Sequence, residues 1–388
     1  MAIRERNDGA HRQDYPIERA LDRRLIDKMD ARARPADIDR RKSLGEIHRE
    51  LERFLSSRVE ESFVVRNLAR LSGGGANESY RFTLVRGRRT DELVLRLKTP
   101  AGICVTDAER EFQLLRAVHG VVPVPEPYWM ISDPRDFGLP GLICAKVAGV
   151  PSPTEDVPYA TGLGTAYSPR LRERLSPQFV EYLARLHAHD WSADDLSGFD
   201  IPRPNTTDAV AWRLGLWNRS WDEDAFEPHP TMFLARQWLS ERQPVADHIS
   251  LLHGDYRNGN FLFDEGTGTI TAVLDWELGY LGDRHSDLAY AMLPGWGHPD
   301  ESGRYLNSGL VHTDTFIAEY ERISGLPVDK ERLDYYLVLN LYWAVVALIG
   351  TGPRNAHARL TQLDVMYNFI CGLGGYFVGE LNRILAKD

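Results

Sequence analysis

Two short motifs in the second half of the chain place carboxylates and an amide on loops beside apolar runs. The first, HGDYRNGN, supplies Asp255 and, five residues later, Asn260. An Asp beside a hydroxyl can accept its proton, and the side-chain oxygen of an Asn is a suitable ligand for Mg²⁺. The second, AVLDWE, puts Asp275 at the end of an apolar run. Because Mg²⁺ prefers a few hard oxygens together with nucleotide phosphates, Asn260 and Asp275 are a sufficient protein contribution to a metal site.

Taken singly, each of these residues is more often a turn-capping Asp or Asn. The complete series, H-x-D-x4-N from His253 followed fifteen residues later by a strand Asp, is far less frequent by chance. The series therefore favours chemistry over turn formation.

A glycine-rich turn, LSGGGANESYRF, lies between two predicted strands and contains Ser72, Gly73, Gly74 and Gly75. Glycines can take positive φ and let backbone N–H groups approach phosphate oxygens. A plain hairpin turn is the alternative interpretation, because the loop does not match G-x-x-x-x-G-K-[ST].

The next predicted strand, LVLRLK, carries Arg96 and Lys98 on one face. A cation in this position can hold the phosphates of a nucleotide, and an acid on the following helix, Glu111 or Glu109, can hold the cation. A solvated strand face is the commoner outcome for such a pair, so only the neighbouring motifs favour a nucleotide site.

The elements that must position these residues predict an α+β chain in three parts. Residues 1–58 form a charged extension with one amphipathic helix, whose apolar face requires the body of the protein or a second subunit, as in a homodimer. Residues 59–148 are a small β-rich part with one helix, capped by Thr106 or Asp107. Residues 149–388 are mainly helical and contain the catalytic motifs on short hairpin strands.

Composition limits the partners of the chain. Its 388 residues have a formal net charge of -10, which argues against nucleic acid. The three Cys are widely spaced, so we expect neither a disulfide framework nor a zinc site, and a cytoplasmic location. The N-terminus lacks an apolar signal region, and we expect no membrane span because the most apolar run, 335–350, is short and carries an Asn.

The arrangement resembles the kinase-like phosphotransferases of the aminoglycoside phosphotransferase and choline kinase family over roughly residues 60 to 385. The resemblance is carried by HGDYRNGN, VLDWE, GDRHSDLAY, LSGGGANESYRF, LVLRLKTP and YLARLHAHDW. It implies a bilobal, protein-kinase-like fold with a small nucleotide-binding lobe and a larger helical lobe. It also implies Mg²⁺, ATP or GTP as co-substrate, and a small molecule with a hydroxyl group as acceptor.

By this resemblance Asp255 is the catalytic base, Asn260 and Asp275 are the Mg²⁺ ligands, and Arg96 is the strand cation. Many members have Lys as that cation, so Lys98, on the same face, is the alternative.

The resemblance extends to three further positions. Glu111, in REFQLL, is the helix partner of the cation, and backbone groups of Ala145 to Val147, in LICAKVAG, would meet adenine. His253 and Asp287 have supporting roles in the loop.

The acceptor is open at this level. HGDYRNGNFLFD and ITAVLDWELGYLGD are similar to the branch found beside acyl-CoA dehydrogenases, which implies a hydroxyacyl-CoA or another small alcohol. An antibiotic phosphotransferase and a non-catalytic nucleotide-binding module are the alternatives. Two features bear on the acceptor. The acidic segment SWDEDAFE (220–227) would contact a cationic acceptor or be a solvated loop. Four Trp either line an acceptor pocket or belong to the core, namely Trp212, Trp217, Trp221 and Trp238.

Overall fold

The computed structural model describes residues 14–33, 42–71, 77–99, 102–154, 165–358 and 364–387. The glycine-rich turn predicted to bind phosphate, Ser72 with Gly73, Gly74 and Gly75, lies outside the described residues.

The described helices and strands alternate irregularly along the chain. The helices are α1 Arg19–Ala33, α2 Leu44–Ser56, α3 Ala108–Val118, α4 Pro134–Phe137, α5 Pro169–Ala188, α6 Asp208–Asp224, α7 Pro230–Glu241, α8 His285–Ala291, α9 Thr313–Ser324, α10 Lys330–Val345, α11 Gly352–Ala358 and α12 Asp364–Leu385, with a π-helical turn at Val346–Thr351 between α10 and α11 and 3₁₀ turns at Trp191–Ala193, Trp276–Leu278 and Pro294–Trp296. The strands are β1 Phe63–Arg70, β2 Asn77–Arg86, β3 Arg89–Lys98, β4 Pro127–Ile131, β5 Gly141–Ala145, β6 Ser250–Leu252, β7 Phe261–Asp264, β8 Thr269–Val273, β9 Tyr280–Gly282, β10 His298–Pro299, β11 Tyr305–Asn307 and β12 Val311–His312.

A five-stranded antiparallel sheet occupies the first half of the chain, in the order β1-β2-β3-β5-β4. Strict alternation along β3 buries Leu93, Leu95 and Leu97 in the core of this half. The same alternation directs Arg96 and Lys98 to the opposite face, as the sequence predicts.

More helices pack against the sheet than the single helix expected from the sequence. Helix α2 begins with a capping box, in which the Ser43 hydroxyl accepts the Glu46 N–H and the Glu46 carboxylate accepts the Ser43 N–H. Its buried residues Ile47 and Leu51 join the sheet core, together with Phe137 of α4. The apolar face of α2 therefore packs against the body of this chain.

A second correction concerns the N-terminal extension, which has α1 as well as the predicted α2. Leu21 and Leu25 of α1 are buried in the large helical core rather than in the sheet core. The high charge of RALDRRLIDKMDARA conceals its apolar stripe, because this stripe is narrow and interrupted by Lys and Arg.

Helices α5 to α12 surround a second, larger hydrophobic core. Among the described residues, the run Lys330–His357 is long and apolar enough to cross a membrane by length and composition, but 72% of its most apolar window is buried inside the protein. This run is thus packed as a core helix. The two antiparallel pairs, β6-β9 and β7-β8, contribute buried residues to this core and flank the loops that carry the predicted catalytic motifs.

Candidate active site

The loop that follows β6 is fixed by a buried carboxylate from α8. Asp287, which has no exposed surface, accepts the backbone N–H of His253 at 2.7 Å and that of Gly254 at 2.8 Å. His187 Nε2 lies 3.2 Å from the same carboxylate. Two backbone N–H groups of the loop are satisfied in this way without solvent, so the loop leaves β6 in one defined direction.

His253 orients the loop. Its Nε2 donates to the carbonyl of Leu274 at 2.8 Å, and its Nδ1 accepts the backbone N–H of Asp255 at 3.2 Å. Burial lowers the pKa of His253, and both ring nitrogens are engaged, so the neutral imidazole is a structural link between the Asp255 loop and the end of β8.

Asp255 lies at the open side of this loop, where 13% of its side chain is exposed. Its Oδ1 accepts from Arg257 Nε at 3.0 Å, and its backbone carbonyl accepts from Asn260 Nδ2 at 2.9 Å. The first contact orients the carboxylate, which is the kind of group that can accept a proton from a hydroxyl.

The hydrogen bond to the Asp255 carbonyl also fixes the orientation of the Asn260 side chain. Because its amide nitrogen is bound to the Asp255 carbonyl, its amide oxygen is the ligand-type atom that remains. The backbone carbonyl of Asn260 accepts the N–H of Leu274 at 2.8 Å, which ties this loop directly to the segment that carries Asp275.

Asp275 adopts a left-handed backbone conformation with φ 65°, which is uncommon for a residue other than glycine. The turn leaves 40% of its side chain exposed, with Arg96 Nη2 at 3.1 Å from Oδ1. Surrounding protein atoms and then the negative charge of Glu277 raise the pKa of Asp275, the charge of Arg96 lowers it, and the resulting pKa is about 6. A divalent cation would relieve this crowding of negative charge.

The two strand cations share one buried acid. Glu111 of α3 lies 2.8 Å from Arg96 Nη1 and 2.7 Å from Lys98 Nζ. Lys98 also pairs with Glu277, which accepts a hydrogen bond from Asn77 Nδ2 at 2.9 Å. Burial raises the pKa of Glu277, but Lys98 and then Arg96 outweigh it and lower the pKa to about 2.

This network gives different surroundings to the two cations that the sequence left as alternatives. Lys98 is held between two acids with 7% of its side chain exposed, whereas Arg96 extends to the partly exposed Asp275. Arg96 is therefore better placed to meet a ligand in the cleft. Glu109, the other acid considered for α3, is exposed on the opposite side of the helix.

The oxygen donors fit a magnesium–nucleotide better than a metal held by protein alone. The described residues contain no group of three His, Cys, Asp or Glu that could hold a metal ion. Asn260 and Asp275 instead offer one amide and one carboxylate, and Mg²⁺ commonly completes such a set with phosphate oxygens and water.

The link between the two halves follows β5. Ala145 pairs with Leu93 of β3 and donates its N–H to the carbonyl of Glu126 at 2.8 Å. Val147, two residues later, is half-buried, as is Ala145.

Two contacts at the site were not anticipated from the sequence. Arg257 pairs with Asp255 and lies over the ring of Trp296 at 4.6 Å, and Glu277 pairs with Lys98. Both are charged residues two positions from a predicted site Asp, a spacing that would have drawn attention to them.

The remaining acceptor candidates belong mainly to the core. Trp217 and Trp221 are buried in the helical core, and Trp238 stacks on Tyr335 at 5.8 Å. The acidic segment near 220 is the end of α6 rather than a solvated loop, and its Asp224 is buried.

The sheet, the helical core and the loops between them have the mixed α+β fold of kinase-like phosphotransferases. The chain belongs to the phosphotransferase enzyme family, which it matches over residues 67–333.

Three comparisons describe its neighbours. Over 302 residues, 75% of this chain, it is 28% identical to acyl-CoA dehydrogenase family member 11 of Pongo abelii, and the match spans only 37% of that longer protein. A Ralstonia eutropha JMP134 structure assigned as an aminoglycoside phosphotransferase has a TM-score of 0.65 at 22% identity, with 87% of this chain and 98% of that chain covered. A spectinomycin phosphotransferase solved with ADP and spectinomycin has a TM-score of 0.51 at 12% identity, covering 86% and 98% respectively.

Proposed function

We propose that this protein transfers the γ-phosphoryl group of ATP or GTP to a hydroxyl of a small metabolite, such as a hydroxyacyl-CoA or another alcohol. The observation that carries the proposal is the convergence of the Asp255 loop, Asn260, Asp275 and Arg96 on one cleft, linked by the contacts of Asp255 with Asn260 and of Arg96 with Asp275. We further propose that the sheet core and the helical core act as two lobes on either side of this cleft.

The chemistry assigned to the chain is positioning and proton transfer. The acceptor hydroxyl would donate its proton to the Asp255 carboxylate, which Arg257 orients through Oδ1. The acceptor oxygen then forms a bond to the γ-phosphorus as the bond to the β–γ bridging oxygen breaks, and ADP or GDP leaves. Arg96 offsets the negative charge on the phosphates.

The metal has a defined place in this scheme. Asn260 and Asp275 would hold Mg²⁺, which neutralises charge on the β- and γ-phosphates when the nucleotide is bound. The pairing of Asp275 with Arg96 would then be replaced by pairing of each with the ligand.

The test is a screen of hydroxylated metabolites, hydroxyacyl-CoAs included, for Mg²⁺-dependent ADP or GDP release. Wild-type protein should release product with at least one acceptor class, and Asp255→Asn should not. A resistance assay with aminoglycosides and macrolides examines antibiotic acceptors. Nucleotide binding without any acceptor-dependent turnover would instead support a binding module.

A further inference from the structure

A small cavity lies beside the backbone of Gly254, the residue that precedes Asp255. Helices α6, α8 and α10 form most of its wall, and Leu278 and β9 complete it. Its volume is about 20 Å³, which is enough for one water-sized group. Among the described residues, none that lines the cavity belongs to the five-stranded sheet with Arg96 and Lys98. The cavity therefore lies apart from the proposed nucleotide side of the site.

Arg213 of α6 lines this cavity with a buried guanidinium, of which 6% is exposed. Its Nη2 donates to the carbonyl of Leu278 at 3.2 Å, and the guanidinium lies 3.4 Å from the centre of the Tyr280 ring. Both contacts are with uncharged groups, and among the described residues the Nε of Arg213 has no hydrogen-bond partner. Burial lowers the pKa of Arg213, whereas Tyr280 and then Glu18 raise it less. A buried cation without an anionic partner costs free energy until an anion joins it.

Trp343 of α10 adds a second unused donor to the cavity. Its Nε1 is buried and, within the described part of the chain, has no hydrogen-bond partner. Other polar side chains of the cavity are already paired, because the Tyr280 hydroxyl donates to Ser286 Oγ at 2.7 Å and Asn340 Nδ2 donates to the Ser286 carbonyl at 2.9 Å. The buried unpartnered atoms at the cavity are thus both donors, and one of them is charged. Such a pair is complementary to an oxygen that carries negative charge.

Aromatic contacts connect this cavity to the carboxylate of Asp255. The ring of Trp343 lies 5.5 Å from that of Tyr290, which lies 5.6 Å from that of Trp296. Arg257 lies over the Trp296 ring at 4.6 Å, and its Nε donates to Asp255 Oδ1 at 3.0 Å. A continuous row of side chains therefore leads from the cavity to the proposed proton acceptor.

The size of the cavity favours a carboxylate over a phosphate. A water-sized space admits one oxygen of a planar carboxylate, whereas a phosphate group presents three oxygens in a bulkier tetrahedral arrangement. Because Nη2 of Arg213 is held by Leu278, its Nε is left for a single oxygen. One carboxylate oxygen matches this arrangement.

We propose that this cavity is an acceptor subsite, and that the acceptor is a hydroxy acid whose carboxylate accepts hydrogen bonds from Arg213 Nε and Trp343 Nε1 while its hydroxyl lies at Asp255. The inference rests on the proposed phosphotransferase function and deepens it by naming the class of acceptor. An unpaired guanidinium in this place also disfavours the cationic acceptor considered from the sequence, because like charges would meet in a buried space. Arg213 binds the acceptor, so its loss is expected to affect the KM for the acceptor more than the transfer step.

The first test measures binding of acetate to the full chain by calorimetry in the presence of ADP and Mg²⁺, with uncharged acetamide and inorganic phosphate as comparison probes. Wild type should bind acetate more tightly than acetamide. Arg213→Met should weaken acetate binding at least about tenfold, and Arg213→Lys should retain part of it because the charge remains. Arg185→Met, at an exposed arginine of α5, is the matched control and should bind acetate as wild type does.

Three results of this titration would overturn the subsite: no acetate binding to wild type, equal affinity of acetate and acetamide, or equal acetate affinity in wild type and Arg213→Met. Binding of phosphate that depends on Arg213 and exceeds that of acetate would contradict the assignment of a carboxylate. Thermal unfolding shows whether Arg213→Met is folded, and Arg213→Lys carries the comparison if it is not.

The second test compares hydroxy acids with their carboxamides as phosphoryl acceptors. Arg213→Met should raise the KM for a hydroxy acid at least about tenfold, with little change in the KM for the nucleotide and in the turnover of the carboxamide. Turnover only with acceptors that lack a carboxylate would overturn the inference and leave the proposed phosphotransferase function intact. Binding of ADP–Mg²⁺ to wild type tests that function separately.

Discussion

The Asp255 loop and the proposed nucleotide side of the site are built in different ways. The loop is held by backbone N–H groups of His253 and Gly254 bound to the fully buried Asp287. The nucleotide side is held by ion pairs that connect the sheet to the helical half, Arg96 with Asp275 and Lys98 with Glu277.

The hydrogen bonds that hold the loop are permanent, whereas a ligand can replace the ion pairs on the other side of the site. Hydrogen bonds to buried backbone groups have no competing partner, so the loop is organised before any ligand binds. The Arg96–Asp275 pair is partly exposed, and phosphate and metal can each take one of its members. We therefore expect substitutions in the Asp255 loop to alter turnover or stability, and substitution of Arg96 to alter nucleotide affinity.

The largest effect is expected for Asp255→Asn, which removes the proton acceptor and keeps the shape of the side chain. Turnover should fall by about 10²–10⁴-fold, the usual contribution of a general base. Affinity for Mg²⁺–nucleotide should change little, which calorimetry checks. Turnover near that of wild type with any accepted substrate contradicts the role of Asp255.

Asp287→Asn tests whether Asp287 stabilises the structure of the loop. One of the two backbone N–H groups on the loop would face an amide NH₂, so the free energy of unfolding should fall by about 2–4 kcal/mol. Urea denaturation measures this change. An exposed acid such as Asp334 gives the matched control, Asp334→Asn, which should leave stability unchanged. Equal stability of both variants would show that the loop does not depend on Asp287.

Arg96→Met and Lys98→Met sharpen the choice between the two cations. Arg96→Met should raise the KM for the nucleotide about tenfold, because a charged contact to phosphate is lost. Lys98→Met should mainly lower stability, since it leaves Glu277 and Glu111 with one cation fewer. Steady-state kinetics and thermal unfolding of both variants test this division, and the reverse pattern would assign the phosphate contact to Lys98.

The smallest effect is expected for Glu277→Gln. The variant keeps the hydrogen-bonding shape towards Asn77 but removes one of the charges that raise the pKa of Asp275. Metal-dependent nucleotide affinity should therefore change only about two- to threefold, less than one full charge contact. A loss as large as that of Asp275→Ala would make Glu277 a metal ligand in its own right.

Local sequence patterns were sufficient for the parts of the site that lie close together along the chain. The spacing of Asp255, Asn260 and Asp275 reflects one loop and the hairpin after it, and the alternation of β3 gives the common face of Arg96 and Lys98. These predictions depend only on strand period and loop length.

Contacts between distant segments could not be predicted in the same way. Helix α1 meets α6 through Arg32 and Asp224, which are separated by 192 positions. Such a pairing depends on how the completed core brings the two helices together, and a charged segment like α1 gives a weak apolar signal. For that reason the sequence predicted one helix instead of two in the N-terminal extension.

The central claim is that Asp255, Asn260 and Asp275 meet around a magnesium–nucleotide. Calorimetric titration of a non-hydrolysable ATP analogue, with and without Mg²⁺, tests it most directly in wild type, Asp255→Asn and Asp275→Ala. Metal-dependent binding should persist in the first two proteins and be lost in Asp275→Ala. Binding that is independent of Mg²⁺, or equal in all three proteins, would contradict the claim.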